Sequence, residues 1–291
     1  MLEGRVMVEL SASGVVTRID PAEGGRIVSL VIAGVERILP KARARARDPA
    51  LYWGCYPMVP WPGRLANGRI PTNDGEVRLE ANLPPSAIHG LAFDKAWEIV
   101  ERSPTRVTMM CELRGLGWPF GGHALETVTL RAGSLDLQLE VGGYTRAGPA
   151  GLGWHPWFTR PPRGDVALRV DATEVLVVDA DLVPTGEVRR VTPREDLRSC
   201  PPLGDRRLDH VYVRTNSPSL VRWPDLDLRI EYDTSMRTVV VHTPREGICV
   251  EPQTMWPNAP LLAAAGFSDT GLRTLEPGET LRATEAWTWS S

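Results

Sequence analysis

Lysine is nearly missing from this 291-residue chain. Of its 33 basic residues, only Lys41 and Lys95 are lysine; the rest are arginine. Alanine, glycine and proline are also plentiful, so codon bias explains the arginine surplus without invoking an anion site. A net charge of −3 and a pI near 6.0 give no basic surface for nucleic acid or an anionic membrane. The four cysteines, Cys55, Cys111, Cys200 and Cys249, are scattered and form no CxxC pair. That argues against a zinc knuckle and a disulfide framework and predicts reduced thiols in a cytoplasmic protein. No stretch reaches the ~20 apolar residues needed to span a bilayer. The opening "MLEGRVMVEL" has no apolar core or cleavage pattern, so no signal peptide is expected. A phosphate loop, a dinucleotide fingerprint, HxH and HExxH are all missing, and neither a cofactor nor a metal is expected.

Long helical periodicity is missing too. What recurs instead is short alternation: "RVMVEL", "RIVSLVI", "RVTMMCEL", "ALETVTLR", "LDLQLEV", "EVLVV", "LRIEYD" and "TVVVH". Each run is bounded by Gly, Pro, Asp or Ser and reads as a strand. "RAGS" at 131–134 and "PDLD" at 224–227 read as hairpin turns. "NAPLLAAAGF" reads as one or two helical turns ending at Gly266. "KARARARD" fits a charged turn, a helix fragment or a mobile loop. Many short strands with few helices predict an all-β fold, a sandwich or barrel, with residues 1–291 as one domain. "RPPRGD" and "SCPPLGD" read as loops between strands rather than linkers.

Chemistry has few places to reside. Among five histidines, His89 in "AIHGLAFDKAWEI", His155 in "GLGWHPWF" and His210 in "RLDHVYV" sit at strand ends or loops with aromatic or turn neighbours. His123 and His242 are weaker candidates; His242 in "VVVHTP" reads as a strand side chain on a polar face. "WPGRLANGRI" is too rich in Gly and Pro for regular structure, yet carries Arg64, Asn67 and Arg69. Ten tryptophans either fill a broad core or wall a site for the C–H face of a sugar. "EPQTMWPNAP" follows a strand with the acidic Glu251, and Pro252 is expected to end the ladder immediately after it.

Taken in order, "GCYPMVPWPGRLANGRI", "HGLAFDKAWEI", "GLGWHPWF", "LDHVYV" and "CVEPQTMWPNAP" resemble the aldose 1-epimerase (galactose mutarotase) family from about residue 52 to 260. The resemblance implies a large antiparallel β-sandwich (a galactose mutarotase-like supersandwich) with an open cleft across one sheet. It implies Glu251 as general base, His155 as general acid, and Arg64, His89 and Asp209 as sugar-binding groups. Gly63 stands where that family often has asparagine. Trp154 and Trp256 flank the motif residues and are expected to touch substrate. The implied reaction interconverts α and β anomers of a free aldohexose such as galactose or glucose. The base takes the C1 hydroxyl proton, the acid protonates the ring oxygen, and the opened aldehyde rotates and recloses. A small-molecule sugar is the expected partner, and the protein is expected to be a monomer or homodimer.

Four other readings share these residues. A sugar-phosphate (glucose-6-phosphate-type) 1-epimerase needs a cationic phosphate pocket, from "KARARARD" or Arg69. A glycoside hydrolase needs two carboxyls about 5–10 Å apart, from Asp209 and Glu251. A non-catalytic carbohydrate-binding protein needs neither acid nor base. A metal site from His89, His155, His210 and Glu251 has no local ligand pair behind it.

Overall fold

Alternation at period two sends one row of side chains inward, and it does so here in two stacked sheets. The computed structural model describes residues 6–44, 49–72 and 74–290. Among these, one antiparallel sheet runs, in spatial order, Val8–Ala12, Val15–Asp20, Arg26–Ile32, Cys55–Met58, Gly153–Pro156, Cys249–Gln253, Thr238–His242, Asp209–Val213, Glu174–Val178 and Pro184–Arg190, with Val35–Glu36 attached to Arg26–Ile32. A second antiparallel sheet of eight strands packs against it, centred on Gly121–Leu130, Ser134–Tyr144 and Thr280–Ser290. The core between them takes Leu10, Ile27 and Trp154 from the first sheet and Leu137, Leu139, Val141 and Trp287 from the second.

The local expectations largely hold. "RAGS" turns between Gly121–Leu130 and Ser134–Tyr144, with the Arg131 N–H donating to Ser134 O at 2.8 Å. Pro224 and Asp225 make the two-residue turn between paired Trp223 and Leu226. The helix Ala259–Ala264 closes before Gly266, whose φ of +91° suits glycine. In "KARARARD", Lys41–Arg43 is a single 3-10 turn, and residues 45–48 lie outside the described residues. No helix among the described residues is long and apolar enough to cross a membrane.

The middle of the first sheet breaks the alternation. Cys55–Met58, Gly153–Pro156 and Cys249–Gln253 are buried at every position. One face of these strands meets the inter-sheet core. The other meets a smaller cluster of Leu39, Tyr56, Met58, Ile88, Phe93, Trp157 and Cys249, roofed by loops. Strands covered on both faces have no solvent row to fill with polar residues. The polar groups present there, His155, Glu251 and Gln253, therefore stand out.

Pro252 does not end its ladder, contrary to expectation. Val239 stands opposite Pro252 and Thr238 opposite Gln253. On its other side the strand pairs with Gly153–Pro156 only at Gly153 and Gln253, so a missing proline N–H has little ladder to break there.

Candidate active site

Register decides which side chains meet. Gly153 opposite Gln253 brings His155 opposite Glu251 two residues along. Val240 stands opposite Glu251, Val211 opposite Val240, and Asp209 opposite His242. Side chains of one parity on four adjacent strands thus share one face: His155 and Trp157, Glu251 and Gln253, Val240 and His242, Asp209 and Val211. These residues line a cavity of about 240 Å³, walled further by Tyr52, Arg64, His89 and Pro257. A cavity of that size takes a small molecule.

The loop residues are fixed by backbone contacts. Arg64 O accepts from the Asn258 N–H at 2.7 Å, and Asn258 Oδ1 accepts from the Ala66 N–H at 3.1 Å. The arginine loop is thereby tied to the loop that follows Glu251. Gly63 has φ +68°, and a Cβ there would meet the Pro257 ring at 2.6 Å, so glycine fits where a larger residue would collide. The Gly63 N–H donates to His89 Nδ1 at 3.3 Å and Gly63 O accepts the His89 N–H at 3.0 Å. His89 itself is held at φ +60°, an uncommon conformation for a non-glycine residue that often marks a functional constraint. With Nδ1 accepting, a neutral His89 carries its proton on Nε2. Beneath the cavity the Arg26 guanidinium lies between Trp53 and Tyr56, 4.5 and 4.4 Å from their ring centres. It donates to the carbonyls of Trp53, Ala50 and Phe93, which sets the loop carrying Tyr52.

His155 is clamped. Its ring stacks on Tyr56 at 4.9 Å and Trp157 at 5.4 Å, and meets His89 edge-on at 4.9 Å. His155 Nε2 lies 3.3 Å from Glu251 Oε1. The two are adjacent without hydrogen-bond alignment, so Oε1 has no donor; Oε2 accepts from Gln253 Nε2 at 3.3 Å. Glu251 is 1 % exposed and His155 6 %. Such burial favours uncharged forms. It pushes Glu251 well above the ordinary carboxylate range, with Asp209 adding to the push. It pulls His155 well below the ordinary imidazole value, helped by His89 and His242. His89 falls to about 3, through burial and then Arg64. For Asp209, burial acts upward, but His242, Arg64 and His210 together outweigh it and hold the carboxylate low. Asp209 Oδ2 and His242 Nδ1 are 3.4 Å apart.

A family model described as aldose 1-epimerase matches residues 8–287. The chain belongs to the aldose 1-epimerase family. It is 28 % identical over 217 residues to the uncharacterized protein YihR of Escherichia coli K12, covering 69 % of this chain and 70 % of that one. A galactose mutarotase-like protein of Clostridium acetobutylicum superposes with a TM-score of 0.86 at 18 % identity, covering 98 % of this chain and 95 % of that one. Galactose 1-epimerase of Lactobacillus acidophilus NCFM superposes with a TM-score of 0.80 at 17 % identity, covering 100 % and 96 %. The fold is the galactose mutarotase-like supersandwich.

Within this aldose 1-epimerase fold, five of the seven expected residues converge on the cavity: Arg64, His89, His155, Asp209 and Glu251. Trp154 and Trp256 do not. Trp154 has the opposite parity to His155, and its Nε1 donates to Glu126 Oε1 at 2.9 Å in the inter-sheet core. Trp256 is buried in the same core, its loop pinned by its N–H donating to Thr270 O at 2.8 Å. His210, also of opposite parity to Asp209, faces Glu195 at 3.3 Å and stays outside. Conversely, the cavity uses Gln253 and Tyr52, which the sequence reading did not single out, His242, which it ranked as a weaker candidate, and Trp157, one of the tryptophans it offered as core or site wall. Gln253 was visible in principle: it shares parity with Glu251 in "CVEPQ".

Proposed function

We propose that this protein is an aldose 1-epimerase acting on a free aldohexose such as galactose or glucose, as an isomerase without cofactor, in the cytoplasm. The observation that carries the reading is Glu251 and His155 side by side in a buried cavity ringed by Arg64, His89 and Asp209. His89 Nε2–H is a donor for the ring oxygen side of the sugar; Arg64 and Asp209 hold hydroxyls and fix the ring between the proton-transfer groups. Glu251 takes the C1 hydroxyl proton while His155 protonates the ring oxygen. The C1–O5 bond breaks, C1–C2 rotates, and both transfers reverse.

Free glutamate is ionised and free histidine titrates near neutral pH, but burial pushes Glu251 up and His155 down. Burial favours a protonated Glu251 beside a neutral His155, one proton for the pair. Moving it to His155 gives the working form with no exchange with solvent, because both forms carry the same proton count. Activity is lost only when the pair gains a second proton, below the depressed His155 value, or loses its one proton, above the raised Glu251 value. The kcat/KM profile is therefore expected to stay level down through pH 6.5, with its acid limb lower. A limb centred at 6.5 would contradict it.

The test is NMR exchange between anomers over a panel of free and phosphorylated aldoses. Among the described cavity residues, Arg64 is the only lysine or arginine. Arg69 instead pairs with Glu76 at 2.6 Å outside the cavity. A phosphate dianion near Asp209 lacks sufficient counter-charge, so glucose is expected to outpace glucose 6-phosphate by at least about tenfold. The opposite order would favour the sugar-phosphate reading. No exchange with any sugar would overturn the enzymatic reading.

A further inference from the structure

We propose that the floor of the cavity is a binding site for a borderline-soft divalent metal ion such as Zn²⁺, formed by His155, Glu251 and Cys249, and that occupancy blocks the enzyme. Cys249 shares parity with Glu251 on the strand Cys249–Gln253 and is fully buried, in the cluster with Tyr56 and Trp157 and outside the cavity lining. One ligand atom from each of the three residues lies within 4.8 Å of the others. The ligands converge from two strands, which is why no local sequence pair announces them.

Three features point to a ligand here rather than a chance cluster. The donor set is imidazole nitrogen, thiol sulfur and carboxylate oxygen, the mixture that suits Zn²⁺ and Co²⁺ rather than Mg²⁺ or Ca²⁺. Glu251 Oε1, in a residue 1 % exposed, has no hydrogen-bond donor and faces His155 Nε2 at 3.3 Å. That separation is already that of two ligands on one tetrahedral zinc, about 3.3–3.7 Å, so Cys249 need move only about 1 Å. Charge also balances: one divalent ion with a thiolate, a carboxylate and a neutral imidazole leaves no net charge in a buried wall. The thiol and carboxyl protons leave to solvent as the metal–sulfur and metal–oxygen bonds form. The fourth position opens into the cavity, where water or a sugar hydroxyl completes the shell.

Binding does not depend on the proposed function; the block does, because the metal would hold the same Glu251 and His155 that transfer protons. Co²⁺ is the probe, since thiolate coordination gives a near-ultraviolet charge-transfer band. Purified metal-free protein is titrated with Co²⁺, then with Zn²⁺, while anomer exchange is followed in parallel. One equivalent of Co²⁺ should produce the band, Zn²⁺ should abolish it, and Zn²⁺ should stop exchange. Cys249→Ser should lose the band and need at least about tenfold more Zn²⁺ to inhibit its own metal-free exchange rate. Glu251→Gln, which keeps the thiol, should weaken Co²⁺ binding and guards against a misfolded Cys249 variant. Wild-type protein without a band, or a band that persists in Cys249→Ser, overturns the site. A band in protein that turns over no sugar sinks the function and leaves the site standing.

Discussion

Glu251→Gln is expected to slow anomer exchange by about 10²–10⁴-fold, with sugar affinity little changed. Glutamine has the same shape and no charge, and it replaces a carboxyl whose uncharged form burial favours. Its carbonyl can still accept from Gln253 Nε2 as Glu251 Oε2 does now. Packing and folding are therefore retained, and what disappears is an atom able to take and return a proton. Arg64, His89 and Asp209 remain, so KM stays near its original value while kcat falls, the signature of an interaction needed mainly in the transition state. Combining it with His155→Asn should add little, because half of a coupled proton transfer does not turn over alone. Magnetisation exchange between α and β anomers measures this directly. Exchange as fast as wild type in Glu251→Gln would remove Glu251 from the mechanism.

Strand parity separates what could be read in the sequence from what could not. The alternating runs identify an all-β fold, because an antiparallel strand with one covered face writes its burial into every second residue. They do not mark the doubly covered strands: "CYPM" and "GWHP" carry no polar row to count, and "CVEPQ" has only Glu251 and Gln253. The site is built on those strands. His155 and Glu251 were legible through motif resemblance, but their contact depends on Gly153 lying opposite Gln253, a register set by distant pairing. Trp154 was misplaced for the same reason: adjacent to His155 in the chain, it lies on the other side of the sheet. Parity within a known strand would have corrected it, and would also have exposed Glu126 in "ALETVTL" and Glu285 in "LRATEAW", each in phase with buried apolar neighbours.

Those two carboxyls each make the fold less stable as pH rises. Glu126 is 1 % and Glu285 2 % exposed, and burial lifts both to about 8. Each accepts a single indole N–H at 2.9 Å, Glu126 from Trp154 and Glu285 from Trp287, and each keeps one oxygen without a partner. In the folded chain both stay protonated over a range where the unfolded chain, with an ordinary carboxyl near 4.5, releases the proton. At these two sites the folded state therefore binds more protons than the unfolded state between about pH 4.5 and 8. Their contribution to stability falls as pH rises through that window and levels off above it. At 1.36 kcal/mol per unit, the fall is up to about 5 kcal/mol for each group. Glu126→Gln removes one titration and keeps an acceptor for the Trp154 indole; an unmatched amide donor in a dry core costs about 1–3 kcal/mol at every pH. Urea unfolding should find the variant less stable than wild type at pH 5 and more stable at pH 9, with Glu285→Gln shifting the balance the same way. Parallel stability curves for wild type and both variants would show that neither carboxyl changes its proton affinity on folding. A crossing would also explain what Glu126 does for the cavity: it gives the core indole of Trp154 an uncharged acceptor, which holds the strand that presents His155 on its opposite face.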